Sequence, residues 1–312
     1  MINLKRFVQI GVEAGFEQAD LPREEHRTVT LDIHAHAFHP KIVEKVLKQL
    51  EAHYGIAPVG TGLVADLLDR LNAAGIGRAA VHAAATAPAQ VVPANNWSIG
   101  LARTQPRLIP FGTIHPGFAD FEAELSRLER AGVQGIKIHA DFQGFRLDDP
   151  ALWPILEAMQ GRFVALFHVG DRLPPALNPS CPAKLAAIHR EFPGLTVVAA
   201  HLGGYLHWAE ALEHLAGTDV FLDTSSSLPF IKDGLLRAIL DRHPPERVFF
   251  GSDYPLFDPG RELERLRSRL RLTDARLELL LTAGEDLFGT GGEGAGDAGT
   301  RGPSPEPAPA EV

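Results

Sequence analysis

The chain has 312 residues, 45% hydrophobic and 22% charged, which is close to an average soluble globular protein. Its formal net charge is −9 and Lys and Arg form no cluster, which excludes nucleic acid as an expected partner. There is no run of about 18 apolar residues, which a membrane-spanning helix would need, and the first residues lack the apolar core of a signal peptide. Cys181 is the single cysteine, so an intrachain disulfide framework is excluded. We therefore expect a soluble, cytoplasmic protein.

The two ends of the chain differ in composition from its middle. Residues 1–27 are mixed and polar and are expected to form an N-terminal extension. Residues 289–312 are rich in Gly, Pro and Ala and hold almost nothing that could build a core, which predicts a disordered tail. Residues 28–288 are expected to form one domain.

Within this domain, apolar runs typical of strands alternate with amphipathic helical stretches. Eight strands are predicted, at Val29–His34, Arg78–His82, Leu108–Ile114, Gln134–His139, Phe163–His168, Leu195–His201, Val220–Thr224 and Arg247–Gly251. Helices are predicted at Leu63–Ala74, Ala94–Thr104, Phe121–Ala131, Pro150–Gln160, Pro182–Phe192, Tyr205–Ala216, Phe230–Arg242 and Arg261–Leu281. Eight such units in roughly 260 residues predict an α/β protein, a (β/α)8 TIM barrel.

Two features of the sequence refine this architecture. No GxGxxG turn follows the first strand, which argues against a doubly wound open sheet. The connection Ala37–Gly62 is longer than a usual strand-to-helix loop and contains a predicted helix, Lys41–Ala52. We expect this segment to form a lid over the barrel mouth.

The first strand carries an HxH pair at its carboxyl end. Side chains alternate between the faces of a strand, so His34 and His36 share one face with Asp32. The apolar set on the other face is Val29, Leu31, Ile33 and Ala35. We expect the apolar set to face the helices and both imidazoles to face the barrel, where they can bind one divalent cation such as Zn²⁺.

Polar residues also stand at the ends of later strands. Lys137 and His139 share the inward face of the fourth strand, His168 and His201 end the fifth and sixth, and Asp253 follows the eighth. An isolated histidine at a strand end is ordinary, as is a lone HxH pair. Together these residues predict a metal-dependent active site at the carboxyl rim of the barrel, where such enzymes place their chemistry.

Five motifs carry a family resemblance. They are DIHAH (Asp32–His36), GIKIH (Gly135–His139), LFHVG (Leu166–Gly170), AAHLGG (Ala200–Gly204) and GSDYP (Gly251–Pro255). In this order the chain resembles the amidohydrolase superfamily of metal-dependent barrels, and within it the branch that contains aminocarboxymuconate semialdehyde decarboxylase. The resemblance extends over Thr28–Phe288.

The resemblance implies roles for individual residues. His34, His36, His168 and Asp253 would bind one divalent metal ion, most simply Zn, with Mn or Fe as alternatives. Asp253 would also move a proton, and His201 would orient or polarise the reacting groups. Lys137 matches the strand on which binuclear members carry a bridging carboxylated lysine, so a second metal stays open.

The remaining site predictions concern the surroundings of the metal. Phe38, His139, Arg172 and Tyr254 are predicted to contact the substrate. Metal-bound histidines need hydrogen-bonding partners behind them, for which the candidates are Asp32, Asp223 and Ser225.

Three functions remain open from the sequence. A bound divalent ion lowers the pKa of water from 15.7 to about 7, so the main hypothesis is an amidohydrolase that cleaves an amide, ester or lactone bond of a small molecule. The alternative is a non-oxidative decarboxylase of an aromatic or unsaturated carboxylic acid. A non-catalytic barrel is the third. The expected partner is a small-molecule substrate, with homo-oligomerisation open.

Overall fold

The computed structural model describes residues 30–288, so the predicted extension 1–27 and tail 289–312 lie outside the described residues. These described residues contain nine short strands: β1 (Leu31–Ala35), β2 (Arg78–Val81), β3 (Leu108–Pro110), β4 (Gly112–Thr113), β5 (Gly135–Ile138), β6 (Val164–Phe167), β7 (Thr196–Ala199), β8 (Phe221–Asp223) and β9 (Val248–Phe249). Neighbouring strands pair in parallel, in chain order, within β1–β3 and within β4–β9.

Backbone hydrogen bonds close the sheet into a barrel. Between β9 and β1, the Ile33 N–H donates to Phe250 O (2.9 Å), and Ala35 bridges to Tyr254. Phe111 lies between β3 and β4 in the chain, and its N–H donates to Val81 O at the end of β2 (2.9 Å). The predicted strand Leu108–Ile114 is therefore one barrel position that is interrupted at Phe111, and the barrel has eight positions.

Side chains of the neighbouring helix account for this interruption. The Ser98 hydroxyl donates to Phe111 O (2.7 Å), which occupies the carbonyl that would continue the ladder. Asn95 pairs with the backbone of Thr113 through both its amide oxygen and its amide nitrogen. These bonds satisfy buried backbone groups that the ladder leaves free.

Eleven α-helices occur among residues 30–288. They are α1 (Val43–Tyr54), α2 (Val64–Ala74), α3 (Val91–Thr104), α4 (Phe121–Arg130), α5 (Ala140–Gln143), α6 (Trp153–Met159), α7 (Pro182–Glu191), α8 (Trp208–His214), α9 (Asp233–Arg242), α10 (Pro259–Leu270) and α11 (Asp274–Thr282). The prediction of one helix over Arg261–Leu281 is wrong. Arg271 takes a left-handed conformation (φ 50°), and the Thr273 side chain caps the next helix by accepting from the Arg276 N–H. No described helix is long and apolar enough to cross a membrane.

The buried apolar residues form two clusters on the two faces of the sheet. The larger one joins strand residues such as Ile136 and Ile138 to helix residues such as Leu125 and Leu128. The smaller one lies inside the barrel and joins strand residues to residues 283–288, which we call the C-terminal segment.

Leu31 and Ile33 belong to the inner cluster, so the prediction that they face the helices is wrong. The pairing of β1 with β2 shifts register between Asp32 and Ala35. Such an irregularity breaks the alternation of side chains, and His34 also reaches the interior, where it contacts Lys137.

The C-terminal segment closes the amino end of the barrel. The 3₁₀ helix Ala283–Leu287 is held by an ion pair from Arg78 to Glu285 (2.6 Å), and Gln134 donates to Phe288 O (2.8 Å). The Phe288 ring packs on Phe111 at a centroid distance of 5.7 Å. A ligand therefore reaches the interior from the carboxyl rim.

The long connection after β1 folds into α1, as predicted, with its two ends tied by a hydrogen bond from Phe38 N–H to Gly62 O (2.8 Å). The helix lies against the loop that follows β6. His53 contacts Asp171 (2.8 Å), and the Arg172 guanidinium donates to Tyr54 O. This segment covers part of the carboxyl rim, which agrees with the predicted lid.

Candidate metal centre

Three of the four predicted metal ligands converge at the carboxyl rim. His34 and His36 come from the end of β1, and Asp253 comes from the loop after β9. His36 Nε2 lies 3.1 Å and His34 Nε2 3.6 Å from Asp253 Oδ1. Backbone bonds hold the two segments together, because Asp253 N–H donates to His34 O (2.7 Å) and His36 N–H to Tyr254 O (2.8 Å).

The hydrogen bonds behind His36 test whether a cation fits between these atoms. His36 Nδ1 lies 2.9 Å from His82 O, a carbonyl that can only accept, so Nδ1 carries the proton. The Nε2 lone pair of the neutral ring then faces a carboxylate oxygen, and two acceptors at 3.1 Å need a cation or a proton between them.

The spacing of the three atoms also suits a metal. Nitrogen and oxygen ligands about 2.0–2.2 Å from Zn²⁺ in a tetrahedral arrangement lie about 3.4 Å apart. The two observed separations, 3.1 and 3.6 Å, bracket this value. The residues present therefore fit a divalent cation held by His34, His36 and Asp253, which lie within 4.8 Å of one another.

His168 stands beside this group and not within it. Its Nδ1 lies 2.9 Å from His201 Nε2, and its ring stacks on His139 at a centroid distance of 3.8 Å. Its Nε2 is buried and has no hydrogen-bond partner. A buried nitrogen that is left without a partner is costly, and a ligand role for His168 stays a prediction that this orphaned atom supports.

His139, Asp141 and His168 form a second close group. Here the imidazole of His139 is already engaged. Its Nδ1 accepts from the Phe142 N–H (3.4 Å) at the start of α5, and its Nε2 faces the Tyr54 hydroxyl (3.4 Å). The two stacked rings lie nearly parallel, at 8°, so their in-plane lone pairs do not meet at one point.

The backbone is strained where the acid–base residues stand. His201 (φ 62°), Ser226 (φ 47°) and Asp253 (φ 63°) are in the left-handed region, which costs a residue other than glycine about 1–3 kcal/mol. Side-chain bonds hold these turns. Asp223 Oδ1 accepts from the His201 N–H (3.1 Å), and the Ser226 hydroxyl donates to Asp253 Oδ2. These bonds hold the left-handed backbone at His201 and the side chain of Asp253 in place.

Electrostatics keep the aspartate charged and the imidazoles of His34 and His168 neutral. Burial alone raises the pKa of Asp253, but the His36 and His201 rings beside it, and the Ser226 hydroxyl that donates to it, hold this pKa well below its ordinary value. Burial lowers the pKa of His34 and His168 well below the ordinary value. The site therefore offers an anionic oxygen and neutral nitrogens, which are the forms that bind metals.

Lys137 lies fully buried on β5, with Nζ 3.3 Å from His34 Nε2. Burial lowers the pKa of its ammonium to about 8, and the nearby charges of Asp223 and Asp253 limit this decrease. A bridging or second-metal role for Lys137 remains a prediction.

The four predicted substrate residues lie in different settings. The Phe38 ring stacks on His36 (5.8 Å, 12°), and His139 forms the stack described above. Arg172 is bonded to a backbone carbonyl of the lid, and its contact with a substrate stays a prediction. Tyr254 is buried and its hydroxyl donates to Asp66 (2.6 Å) on α2, and its contact with a substrate stays a prediction.

The three residues considered as partners of the metal ligands also differ. Asp32 accepts from the backbone N–H groups of His34 (3.1 Å) and Ser252 (3.0 Å), so it fixes the backbone and not an imidazole. Asp223 and Ser225 do contact the ring nitrogens of His34.

Three aromatic residues at the mouth, Tyr54, Tyr205 and Phe230, were not predicted from the sequence. Tyr54 comes from the end of α1, and its ring lies 5.8 Å from Tyr205 and 5.8 Å from Phe142. Tyr205 in turn lies 5.7 Å from Phe230, which is 40% exposed. Their only sequence signal is that each follows a strand or belongs to the long insertion, which does not separate them from packing residues.

Solved structures with the same fold come from several organisms. A 5-carboxyvanillate decarboxylase from Novosphingobium aromaticivorans, with bound manganese, has a TM-score of 0.62 and 17% identity, covering 85% of this chain and 98% of that one. A 2,6-dihydroxybenzoate decarboxylase from Rhizobium has a TM-score of 0.59 and 15% identity (84% and 98%). A Pseudomonas putida protein described as a candidate 2-pyrone-4,6-dicarboxylic acid hydrolase has a TM-score of 0.59 and 18% identity (84% and 97%).

At these identities the structural matches show a shared TIM-barrel fold. No curated protein sequence matches the chain. A family model for amidohydrolases (Amidohydro_2) matches residues 31–285, and with its barrel and its His/Asp cluster the chain belongs to this amidohydrolase family.

Proposed function

We propose that this protein is a metal-dependent decarboxylase that removes CO₂ from a small aromatic or unsaturated carboxylic acid without an oxidant. The observation that carries the proposal is a set of aromatic rings around the mouth of a His/His/Asp centre. Phe38 stacks on the ligand His36, and Tyr54, Phe142, Tyr205 and Phe230 form a connected series of rings that reaches His201 through Tyr205 (6.0 Å).

Such a wall suits a flat, unsaturated substrate. Aromatic rings pack favourably edge-to-face or offset against one another, which contributes about 0.5–1.5 kcal/mol per pair beyond the burial of apolar area. The Tyr54 hydroxyl and the His139 imidazole add polar groups to this wall. Two of the structural neighbours are decarboxylases whose names identify substituted benzoates as substrates, which supports the same substrate class here.

Loss of CO₂ breaks the bond between the carboxylate and a ring carbon, leaves the electron pair on that carbon and requires one proton there. When bound, a divalent cation supplies positive charge that anchors the anionic oxygens of the substrate. Asp253 and His201 are the acid–base groups of this site, and we assign to Asp253, which is ionised before the reaction, the relay of a proton from water to the ring carbon. The Ser226 hydroxyl holds one Asp253 oxygen, which leaves the other free to face the centre.

A hydrolase is the second candidate. Asp253 is ionised and stands beside neutral imidazoles, which suits a base that takes a proton from water during cleavage of an amide, ester or lactone. The Pseudomonas putida neighbour, by its description, acts on a pyrone that is also a carboxylic acid. For either reaction we propose one divalent ion, with Zn²⁺ and Mn²⁺ as the first metals to supply.

The two reactions differ in where isotopes from water appear. Protein reconstituted with Zn²⁺ or Mn²⁺ is incubated with substituted benzoates, lactones and esters in D₂O and, separately, in H₂¹⁸O. A decarboxylase releases CO₂ and places one deuterium on the carbon that lost it. Incorporation of ¹⁸O into the product without release of CO₂ would instead establish the hydrolase.

A further inference from the structure

Asp223 and Ser225 lie between the ligand His34 and the acid–base residue His201. The Ser225 hydroxyl oxygen is 3.0 Å from His34 Nδ1 and 2.9 Å from His201 Nδ1. Asp223 Oδ2 is 2.9 Å from the same His34 nitrogen, and Asp223 Oδ1 contacts the Ser225 hydroxyl. All four side chains are buried.

The donors around Asp223 fix where the serine proton lies. Asp223 Oδ1 accepts from the backbone N–H of His201 (3.1 Å) and of Ser225 (3.0 Å). Although burial raises the pKa of Asp223, the carboxylate is surrounded by donors in this way and accepts as an anion. A hydroxyl has one proton, and Ser225 donates it to Asp223 Oδ1.

The proton positions on the imidazoles then follow one after another. The remaining lone pairs of the Ser225 oxygen face His34 Nδ1 and His201 Nδ1, so both nitrogens must carry hydrogen. His201 Nε2 is consequently a bare lone pair, and His168 Nδ1, at 2.9 Å, must donate to it. His168 Nε2 is therefore left without a proton. This atom is the buried nitrogen described above as having no hydrogen-bond partner.

We propose that Asp223 and Ser225 are positioning residues that fix the tautomers of three histidines at once. They keep the Nε2 atoms of His34 and His168 free of hydrogen, which is the form in which imidazole binds a cation. The proposal rests on the candidate metal centre and is independent of which reaction the protein catalyses.

Replacing Asp223 by asparagine gives a sharp expectation. Three donors surround the Oδ1 position, so the amide oxygen of Asn must occupy it. The amide nitrogen then takes the Oδ2 position and donates to His34 Nδ1. The Ser225 oxygen, at 3.0 Å, still accepts at His34 Nδ1 and competes with this new donor, so part of the His34 population is expected to carry its proton on Nε2, where the N–H points at the cation position.

The test uses the full-length, metal-stripped protein labelled with ¹⁵N-histidine. Two-bond ¹H–¹⁵N correlation spectra at pH 8 distinguish the two tautomers of a neutral imidazole. The expected wild-type signals show Nδ1–H for His34, His168 and His201. In Asp223→Asn the His34 signal is expected to gain Nε2–H at the expense of Nδ1–H. The affinity for Zn²⁺, measured with a competing chelator, should fall by about 10- to 100-fold.

Ser227→Ala is the matched control. Ser227 lies in the same loop and is equally buried, but its hydroxyl donates only to Ser225 O (3.0 Å). The histidine tautomers and the Zn²⁺ affinity of the Ser227→Ala variant should equal those of the wild type. If both variants lower the affinity equally without changing a tautomer, the loss reflects loop structure and the proposal is overturned.

Ser225→Ala tests the second residue, and also keeps the proposal testable if Asp223→Asn does not fold. His34 should keep Nδ1–H through Asp223 Oδ2, and His201 should keep Nδ1–H through the backbone carbonyl Ser225 O (3.1 Å), which the substitution leaves in place. A wild-type spectrum with Nε2–H on His34 or His201 contradicts the proposal. So does an Nε2–H signal for His34 or His201 in Ser225→Ala. Zn²⁺ affinity and tautomers are read without turnover, so absence of decarboxylase activity leaves this test unaffected.

Discussion

Gly251→Ala probes how tightly the candidate metal centre is packed. A Cβ atom at Gly251 would lie 2.9 Å from His34 Cβ, 3.3 Å from Ser225 Cβ and 3.4 Å from Asp223 Cβ. All three neighbours are themselves Cβ atoms anchored to buried backbone, so none can rotate away. Because non-bonded carbons pack best at about 3.5–4.0 Å, His34 must move by several tenths of an ångström or more.

The structure sets the expected size of the effect. Overpacking of a buried site costs typically about 1–3 kcal/mol, which lowers the melting temperature by roughly 2–4 °C per kcal/mol in a domain of this size. Metal ligands must be held within about 0.5 Å of their positions. We therefore also expect Zn²⁺ to bind Gly251→Ala at least about tenfold more weakly.

Gly100→Ala is the control. Gly100 lies inside α3, and a Cβ built on it meets nothing within 4 Å. Alanine in a helix interior is favoured over glycine by about 0.5–1 kcal/mol, so this variant should be more stable than the wild type and bind metal equally well. Urea unfolding and chelator competition measure both variants. Unchanged unfolding and unchanged Zn²⁺ affinity in Gly251→Ala would refute the packing argument.

Three further predictions concern acid–base groups. Burial raises the pKa of Glu262 to about 7, against about 4.5 for an ordinary glutamate, so the folded state binds its proton more tightly than the unfolded state. The stabilisation from this proton is present below pH 4.5 and is lost as pH rises to about 7. The free energy of unfolding of Glu262→Gln should therefore exceed that of the wild type by up to about 3 kcal/mol at pH 8 and equal it at pH 4. Urea midpoints that are the same for variant and wild type at both pH values would contradict this. Asp253→Asn should keep the fold, by circular dichroism, and lower kcat by about 10²–10⁴-fold; near-normal kcat would show that another group moves the proton. Tyr54→Phe removes only the hydroxyl near His139, so KM should rise several-fold with little change in kcat, whereas an unchanged KM would place Tyr54 outside the substrate pocket.

The barrel and the rim location of the site were predictable because both depend on local patterns. Alternating apolar strands and amphipathic helices determine the fold, and parallel strands bring their carboxyl ends to one rim. His34, His36 and Asp253 follow from these two facts, although more than 200 residues separate Asp253 from the HxH pair.

Other features depend on contacts that no local pattern records. The shift of register within β1 overturned the expected directions of Leu31 and Ile33. The Tyr254 hydroxyl turns to Asp66 on α2, a partner that is distant in sequence. Tyr54 reaches the mouth because α1 is bonded to the loop after β6.

Proton positions were likewise beyond the sequence. Asp223 and Ser225 could be named as candidates, but their contacts with two imidazoles depend on the geometry of three strand ends. Strand pattern places a histidine at the rim without showing which ring nitrogen faces the centre.

The most direct test of the account is the metal content of the purified protein, measured by mass spectrometry after reconstitution with Zn²⁺ or Mn²⁺ and removal of excess ion. We predict one tightly bound equivalent in the wild type and none in a variant that combines His34→Ala with His36→Ala. A wild-type protein that retains no metal, or a double variant that retains it in full, would contradict the convergence of these residues on one cation.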